Sequence, residues 1–219
     1  MVKKARPDVE ERVESLVEWL ELHSRQLMFG SIGLLVIAGG FWFYRQSNQR
    51  QAESASVALS EAESSIASGN LPLAQSSLEK LVQRYGNTPS GDQARVLLAQ
   101  VHYEKGEYQQ GIKELEPVTS AKDAYTAASA LNLEAAGLEQ SGKLPEAAAG
   151  YQKAAARAPD KIDHDVYMAN AARVLTAAGK TDEAKKIWAS LASDDQSPAA
   201  AEARVRLGEL VAKTGSAAG

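Results

Sequence analysis

The chain has 219 residues, with 28 acidic side chains against 24 basic ones and a formal net charge of −4. That balance excludes a broad cationic surface for nucleic acid, and no interleaving of basic and aromatic residues stands in for one. Cysteine is absent, which excludes a disulfide framework and thiol chemistry.

Residues 1–7 read as a short basic start. After them Val9, Val13, Leu16, Val17 and Leu20 fall at the spacing of one helix face. The opposite face carries Glu10, Glu11, Glu14, Glu18 and Glu21, a poor match to an anionic lipid surface, which favours Lys and Arg there. Residues 1–25 are thus expected to form a tail with an amphipathic helix. That helix docks on a partner, pairs with itself or packs beside the segment that follows.

Gln26–Tyr44 carries no charge and lies between Arg25 and Arg45. As a helix it would span roughly 28 Å, close to the ~30 Å hydrocarbon core of a bilayer. No small-residue cleavage site follows it. The exit is instead Phe41, Trp42, Phe43 and Tyr44, and aromatic rings suit the headgroup level. The expectation is one uncleaved transmembrane helix over 26–44. Lys3, Lys4, Arg6, Arg12 and Arg25 precede it, whereas Arg45 and Arg50 are the basic residues just after it. That bias puts the N-terminus in the cytoplasm and the rest outside it. Gly30, Gly33, Gly39 and Gly40 include no pair at the G-x-x-x-G spacing of membrane-helix dimers. Residues 45–54, free of Gly and Pro, read as a helical stalk.

A repeat then takes over. Gly69, Gly106, Gly142 and Gly179 recur at intervals of 37, 36 and 37 residues. Five residues after each comes Ala74, Gly111, Ala147 or Ala184, and nine after comes Leu78, Leu115, Tyr151 or Trp188. Twelve after come Leu81, Val118, Ala154 and Leu191; seven before come Ala62, Ala99, Ala135 and Ala172. A period of this length marks stacked helical hairpins, none of which can bury its apolar face alone. The glycine would end each first helix in a left-handed cap. Pro72 and Pro145 suit the first turn of the following helix, where a missing N–H costs nothing. Thr181 is expected to cap the fourth copy's second helix, and Pro117 to end the second copy's early. Gly215, 36 residues beyond Gly179, closes a lone capping helix. The reading is four hairpins and a cap over 55–214, with a disordered tail over 215–219.

These copies resemble tetratricopeptide repeats. The third copy carries the resemblance best, through Leu131, Ala135, Leu138, Gly142, Ala147, Tyr151, Ala154 and Pro159. The second offers Leu98, Ala99, Gly106, Tyr108, Gly111 and Leu115. The fold class expected is all-α, a tetratricopeptide-like solenoid on a single N-terminal transmembrane helix. The resemblance implies a concave groove lined by the first helices, with Val96, Gln100 and Tyr103, then Asn132, Ala136 and Glu139, then Ala169 and Arg173 as candidate partner-binding residues. Relatives that clamp a C-terminal carboxylate place Lys and Asn at the fifth and ninth positions. Here Val96, Asn132 and Ala169, then Gln100, Ala136 and Arg173, stand there, so that clamp is not implied.

The layout is also similar to a narrower family, the ancillary subunit of the SecYEG translocon. The matching residues are Val9, Val13, Trp19, the glycine-rich span, Trp42 to Arg45 and the stretch around Ala52 to Ser56. This resemblance implies a non-enzymatic subunit of the bacterial inner membrane with its repeats in the periplasm. Its partners would be translocon subunits, periplasmic chaperones or client proteins, with no nucleic acid and no small-molecule substrate. A scaffold for another cell-envelope assembly complex is the alternative.

No catalytic, cofactor-binding or metal-binding residues are expected. His23, His102 and His164 have no second His or Cys at ligand spacing. His102 is expected to be a packed histidine at an inward position. Asp163, His164 and Asp165 read as a linker in which Asp165 caps the next helix.

Overall fold

The computed structural model describes Trp19, Leu22 and residues 24–216, with side chains for Trp19, Leu22 and 37–212. Apart from Trp19 and Leu22, the expected amphipathic helix lies outside the described residues, as does 217–219. The chain divides into two units, Met1–Gln51 and Ala52–Gly219. Helix α1, Ser24–Ala67, begins in the first and ends in the second.

In the first unit, Phe41, Trp42, Phe43 and Tyr44 are all exposed, by 64–70%. Among the described residues no helix is long and apolar enough to cross a membrane. The side chains of 24–36, most of the expected span, lie outside the description.

The second unit is all helix among the described residues. After α1 come α2 (Leu71–Tyr85), α3 (Pro89–Glu104), α4 (Tyr108–Leu115) and α5 (Ala124–Gln140). Then follow α6 (Leu144–Arg157), α7 (Lys161–Ala177), α8 (Thr181–Ala192) and α9 (Ala200–Ser216). Four hairpins result: the end of α1 with α2, α3 with α4, α5 with α6 and α7 with α8. Helix α9 packs on α8.

The four periodic glycines are the positive-φ residues among those described, with φ between 74° and 76°. Each ends its helix in the same two hydrogen bonds. In the third copy Gly142 N–H donates to Glu139 O at 2.9 Å and Lys143 N–H to Leu138 O at 2.9 Å. The first, second and fourth copies repeat the pair at Gly69–Asn70, Gly106–Glu107 and Gly179–Lys180. This Schellman arrangement satisfies terminal carbonyls and reverses the chain at one residue, which a Cβ would strain.

The packing follows the same register. Every one of the periodic residues at the four offsets is buried, Gly111 included. There is no single core. Leu59, Ala62, Leu78, Leu81 and Leu98 fill the space between the first two hairpins. Ala99, Leu115, Val118 and Ala130 join the second to the third. Trp188, Tyr151, Leu175, Ala203 and Leu210 belong to a larger cluster that reaches α9. Stability therefore passes from neighbour to neighbour, as in other solenoids.

Helix α4 stops after 8 residues, against 15, 14 and 12 for the other second helices. Pro117 cannot donate to the helix ladder, yet the turn beyond it still delivers Val118 to its buried repeat position.

Three local expectations are corrected. The cap position of α8 is Lys180, with no side-chain hydrogen bond, and Thr181 is already inside the helix. The single-glycine turn starts the next helix one residue earlier than the hydroxyl. Asp163, His164 and Asp165 do not form a linker; they lie in α7, whose cap is Asp160, accepting from Asp163 N–H at 2.9 Å. Asp165 is instead a buried carboxylate, bonded to Lys161 and to His164. Helix α9 also continues through Ser216 without a break at Gly215.

Candidate functional site

A stack of hairpins offers a surface through the faces its first helices leave uncovered. Val96 is half-buried beside Leu97 on α3. Gln100 is exposed, while Ala136 and Ala169 are half-buried against the large hydrophobic cluster. Asn132 is half-buried with its Oδ1 enclosed and lacking a partner among the described residues.

Tyr103 is committed to packing. Its hydroxyl donates to Leu133 O at 3.1 Å, and its ring lies where Cβ atoms on Gly111 and Gly137 would have to sit. Burial pushes its pKa well above the usual tyrosine range, with Glu134 and Tyr151 adding to the shift. Two glycines thus make a slot for one ring, tying the second hairpin to the third.

Glu139 and Arg173 are joined to each other. Arg173 Nη2 donates to Glu139 Oε2 at 2.9 Å, and Nη1 to Oε1 at 2.5 Å. The Tyr151 hydroxyl also donates to Oε2, at 2.9 Å. The hydrogen bond from Arg173 holds the Glu139 pKa below the usual carboxylate range against the opposing effect of burial, and Tyr151 adds to it. His102 is buried with Nδ1 2.7 Å from Glu107 Oε2.

Beside Val96 the structure opens a cleft of ≈ 490 Å³ between α3 and α5. Pro89, Gln93, Val96 and Leu97 line one wall; Tyr125, Thr126 and Ser129 line the other. Pro89, Tyr125 and Ile162 hold one repeat position, 36 and then 37 residues apart. Tyr125 and Ile162 are 56% and 64% exposed. Sequence reasoning passed over Tyr125, although the period that located the glycines also puts these three apolar residues in register. Among the described residues no group of three or more His, Asp or Glu could hold a metal ion.

With this geometry in place, the likeness to known proteins is direct. A tetratricopeptide repeat-like domain matches residues 18–140, more than half of the chain. The chain belongs to that family. A tetratricopeptide repeat matches residues 170–219 as well. No curated protein gives a match. Among solved structures, a tetratricopeptide repeat protein from Parabacteroides merdae superposes with a TM-score of 0.60 at 14% identity. The match covers 74% of this chain and 61% of that protein. A Podosopora anserina protein of nearly identical tetratricopeptide-like repeats gives 0.60 at 16% identity, covering 75% of this chain and 89% of that one. At such identities these neighbours show the fold alone. A tetratricopeptide repeat array suggests a protein–protein interaction scaffold.

Proposed function

We propose that this tetratricopeptide repeat protein is a non-catalytic scaffold held in the bacterial inner membrane by residues 26–44. The N-terminus faces the cytoplasm and the repeats face the periplasm. The observation that carries the reading is the exposure of Phe41, Trp42, Phe43 and Tyr44 together. Successive helical residues are turned by about 100°, so four in a row encircle the helix. A protein partner covers one stripe, whereas a bilayer interface surrounds the whole circumference. Arg45 follows the ring as a cationic edge, and the uncharged stretch behind it has the length of a hydrocarbon core. The family match begins at residue 18 and runs through this stretch into the repeats, which favours anchor and array as one module.

Within that setting the resemblance to the ancillary translocon subunit supports a narrower role. The anchor docks beside the secretion channel, and the repeats meet periplasmic chaperones or emerging clients. Copurification in mild detergent, with and without residues 1–45, tests it. Channel subunits recovered with the intact chain alone support the role. One soluble partner recovered in both samples, without channel subunits, replaces it with a scaffold for another envelope assembly.

A further inference from the structure

We infer that α9 pairs with α9 of a second copy of this chain, antiparallel about a two-fold axis at Gly208. This self-association is independent of the translocon reading.

The repeat register shows which face of α9 is left over. In the four hairpins the residue seven before the turn glycine, Ala62, Ala99, Ala135 or Ala172, is 0% exposed. The second helix of the same hairpin lies against it. A Cβ on Gly111 of α4 would come within 2.9 Å of Ala99 O, and one on Gly150 of α6 within 2.9 Å of Ala135 Cβ. Gly208 holds this position in α9, 36 residues beyond Ala172, and a Cβ there would meet nothing within 4 Å. Val211 follows Leu175 by the same 36 residues. Leu175 is 2% exposed, whereas Val211 is 56% exposed. Helix α9 thus keeps the small and apolar residues of a first helix, while among the described residues the seat for its second helix is open to solvent.

The arrangement of that face selects the occupant. Val205 and Val211 stand three residues to either side of Gly208, and Ala201 and Gly215 seven. Val205 is 60% exposed, and Ala201 and Gly208 are exposed too. At about 100° per residue, all five positions fall within about 60° of Gly208 around the helix. A stripe that reads alike in both directions is complementary to itself in an antiparallel pair, the condition a two-fold interface imposes. There Gly208 meets Gly208, and Val205 of each copy meets Val211 of the other. Small residues at the centre and ends let the helix axes approach closely. A helix of another protein gains nothing from this symmetry.

Charge does not oppose the pairing. Arg204 lies in the same sector, but it donates to Ala192 O at 3.2 Å and pairs with Asp195. Its counterpart, four residues beyond Gly208, is the small Ala212. Arg206 is held by Glu202 at 3.5 Å and by Glu209 at 3.2 Å. One helix from each copy is small beside the roughly 1,600 Å² of a standard interface, so the pairing is expected to be weak and to follow concentration.

The chain has no cysteine, so each introduced thiol reports one contact. In the full chain, held in mild detergent under mild oxidation, Gly208→Cys should form a disulfide-linked dimer. Val205→Cys and Val211→Cys should each crosslink about tenfold less alone than when mixed, because a disulfide needs Cα atoms within about 7 Å. In sedimentation equilibrium the unaltered chain should pass from monomer to dimer as its concentration rises. Gly208→Glu sets two carboxylates against each other at the axis and should weaken the dimer at least about tenfold, with an unchanged circular dichroism spectrum. A chain that stays monomeric throughout overturns the inference and leaves the face to a helix of another protein. A dimer unmoved by Gly208→Glu also overturns it and moves the contact elsewhere in the chain. Val205→Cys crosslinking as well alone as in the mixture overturns the two-fold register.

Discussion

Glu139 holds Arg173 through both of its carboxylate oxygens, joining the first helix of the third hairpin to the first helix of the fourth. The Arg173 side chain is 45% exposed and that of Glu139 21%, so solvent screens the pair. Glu139→Gln is therefore expected to cost on the order of 1 kcal/mol at neutral pH, not the several of a buried pair. The folded pKa of Glu139 is depressed. Its contribution is thus complete above the unfolded value of about 4.3 and is lost as pH falls through the lower folded value. Urea unfolding of both proteins at pH 7 and pH 3 checks this. Their difference should be present at pH 7 and reduced at pH 3.

Tyr103 and its two glycines predict a coupled pair. Gly137→Ala gains up to about 1 kcal/mol of helix propensity, but its Cβ collides with the phenol ring. The expected net is destabilisation of about 1–2 kcal/mol. Tyr103→Ala alone leaves a cavity and costs about 3 kcal/mol. In the double variant the new methyl no longer meets the ring and keeps only its tight contact with Ile112 Cγ1 at 3.0 Å, so the cost should be at least about 1 kcal/mol below the sum of the singles. Additive values would show that the ring moves aside without strain.

Two glycines on the same scaffold are expected to respond with opposite signs. A Cβ meets nothing within 4 Å at either Gly142 or Gly208, so sterics with neighbours drop out of the comparison. Gly142 sits at φ 76°, where an L side chain costs about 1–2 kcal/mol. Gly208 lies inside α9, where alanine gains up to about 1 kcal/mol. Thermal unfolding of Gly142→Ala and Gly208→Ala should move the midpoint down and up, respectively.

The same contrast shows how far the sequence could be read. Backbone needs repeat with the hairpin, so Gly69, Gly106, Gly142 and Gly179 declared the turns, and their flanking Ala and Leu positions declared the core. Pro117 announced the short α4 because its chemistry is local. What escaped was carried by contacts between copies. Tyr103 looked like a groove residue because its slot is built by Gly111 and Gly137, 8 and 34 residues away. Glu139 and Arg173 looked like two surface groups because their pairing spans 34 residues. The cleft depends on α3 meeting α5, and only the repeat register of Pro89, Tyr125 and Ile162 hinted at it.

Asp165 gives the sharpest test of local context. It is 3% exposed inside α7, a place where an unpaired carboxylate would be costly. Burial pushes its pKa up, but hydrogen bonds from Lys161, His164 and Ser197 outweigh that, and the net position is below the usual range. Lys161 also reaches Asp194 at 2.6 Å, beyond the end of α8. The group therefore ties the start of α7 to the segment leading into α9. Asp165→Ala removes the shared acceptor and is expected to cost about 2 kcal/mol. That is below the 3–5 kcal/mol typical of a broken buried pair, because Lys161 keeps Asp194 and its side chain remains 57% exposed. Asp165→Asn keeps an acceptor and should cost about half as much. The carboxylate's contribution is present above the unfolded pKa of about 3.9 and disappears as pH falls through the folded value. Denaturant titrations at pH 7 and pH 2.5 separate the outcomes. A stability gap between wild type and Asp165→Asn that closes in acid supports the network, and a gap independent of pH assigns the loss to shape alone.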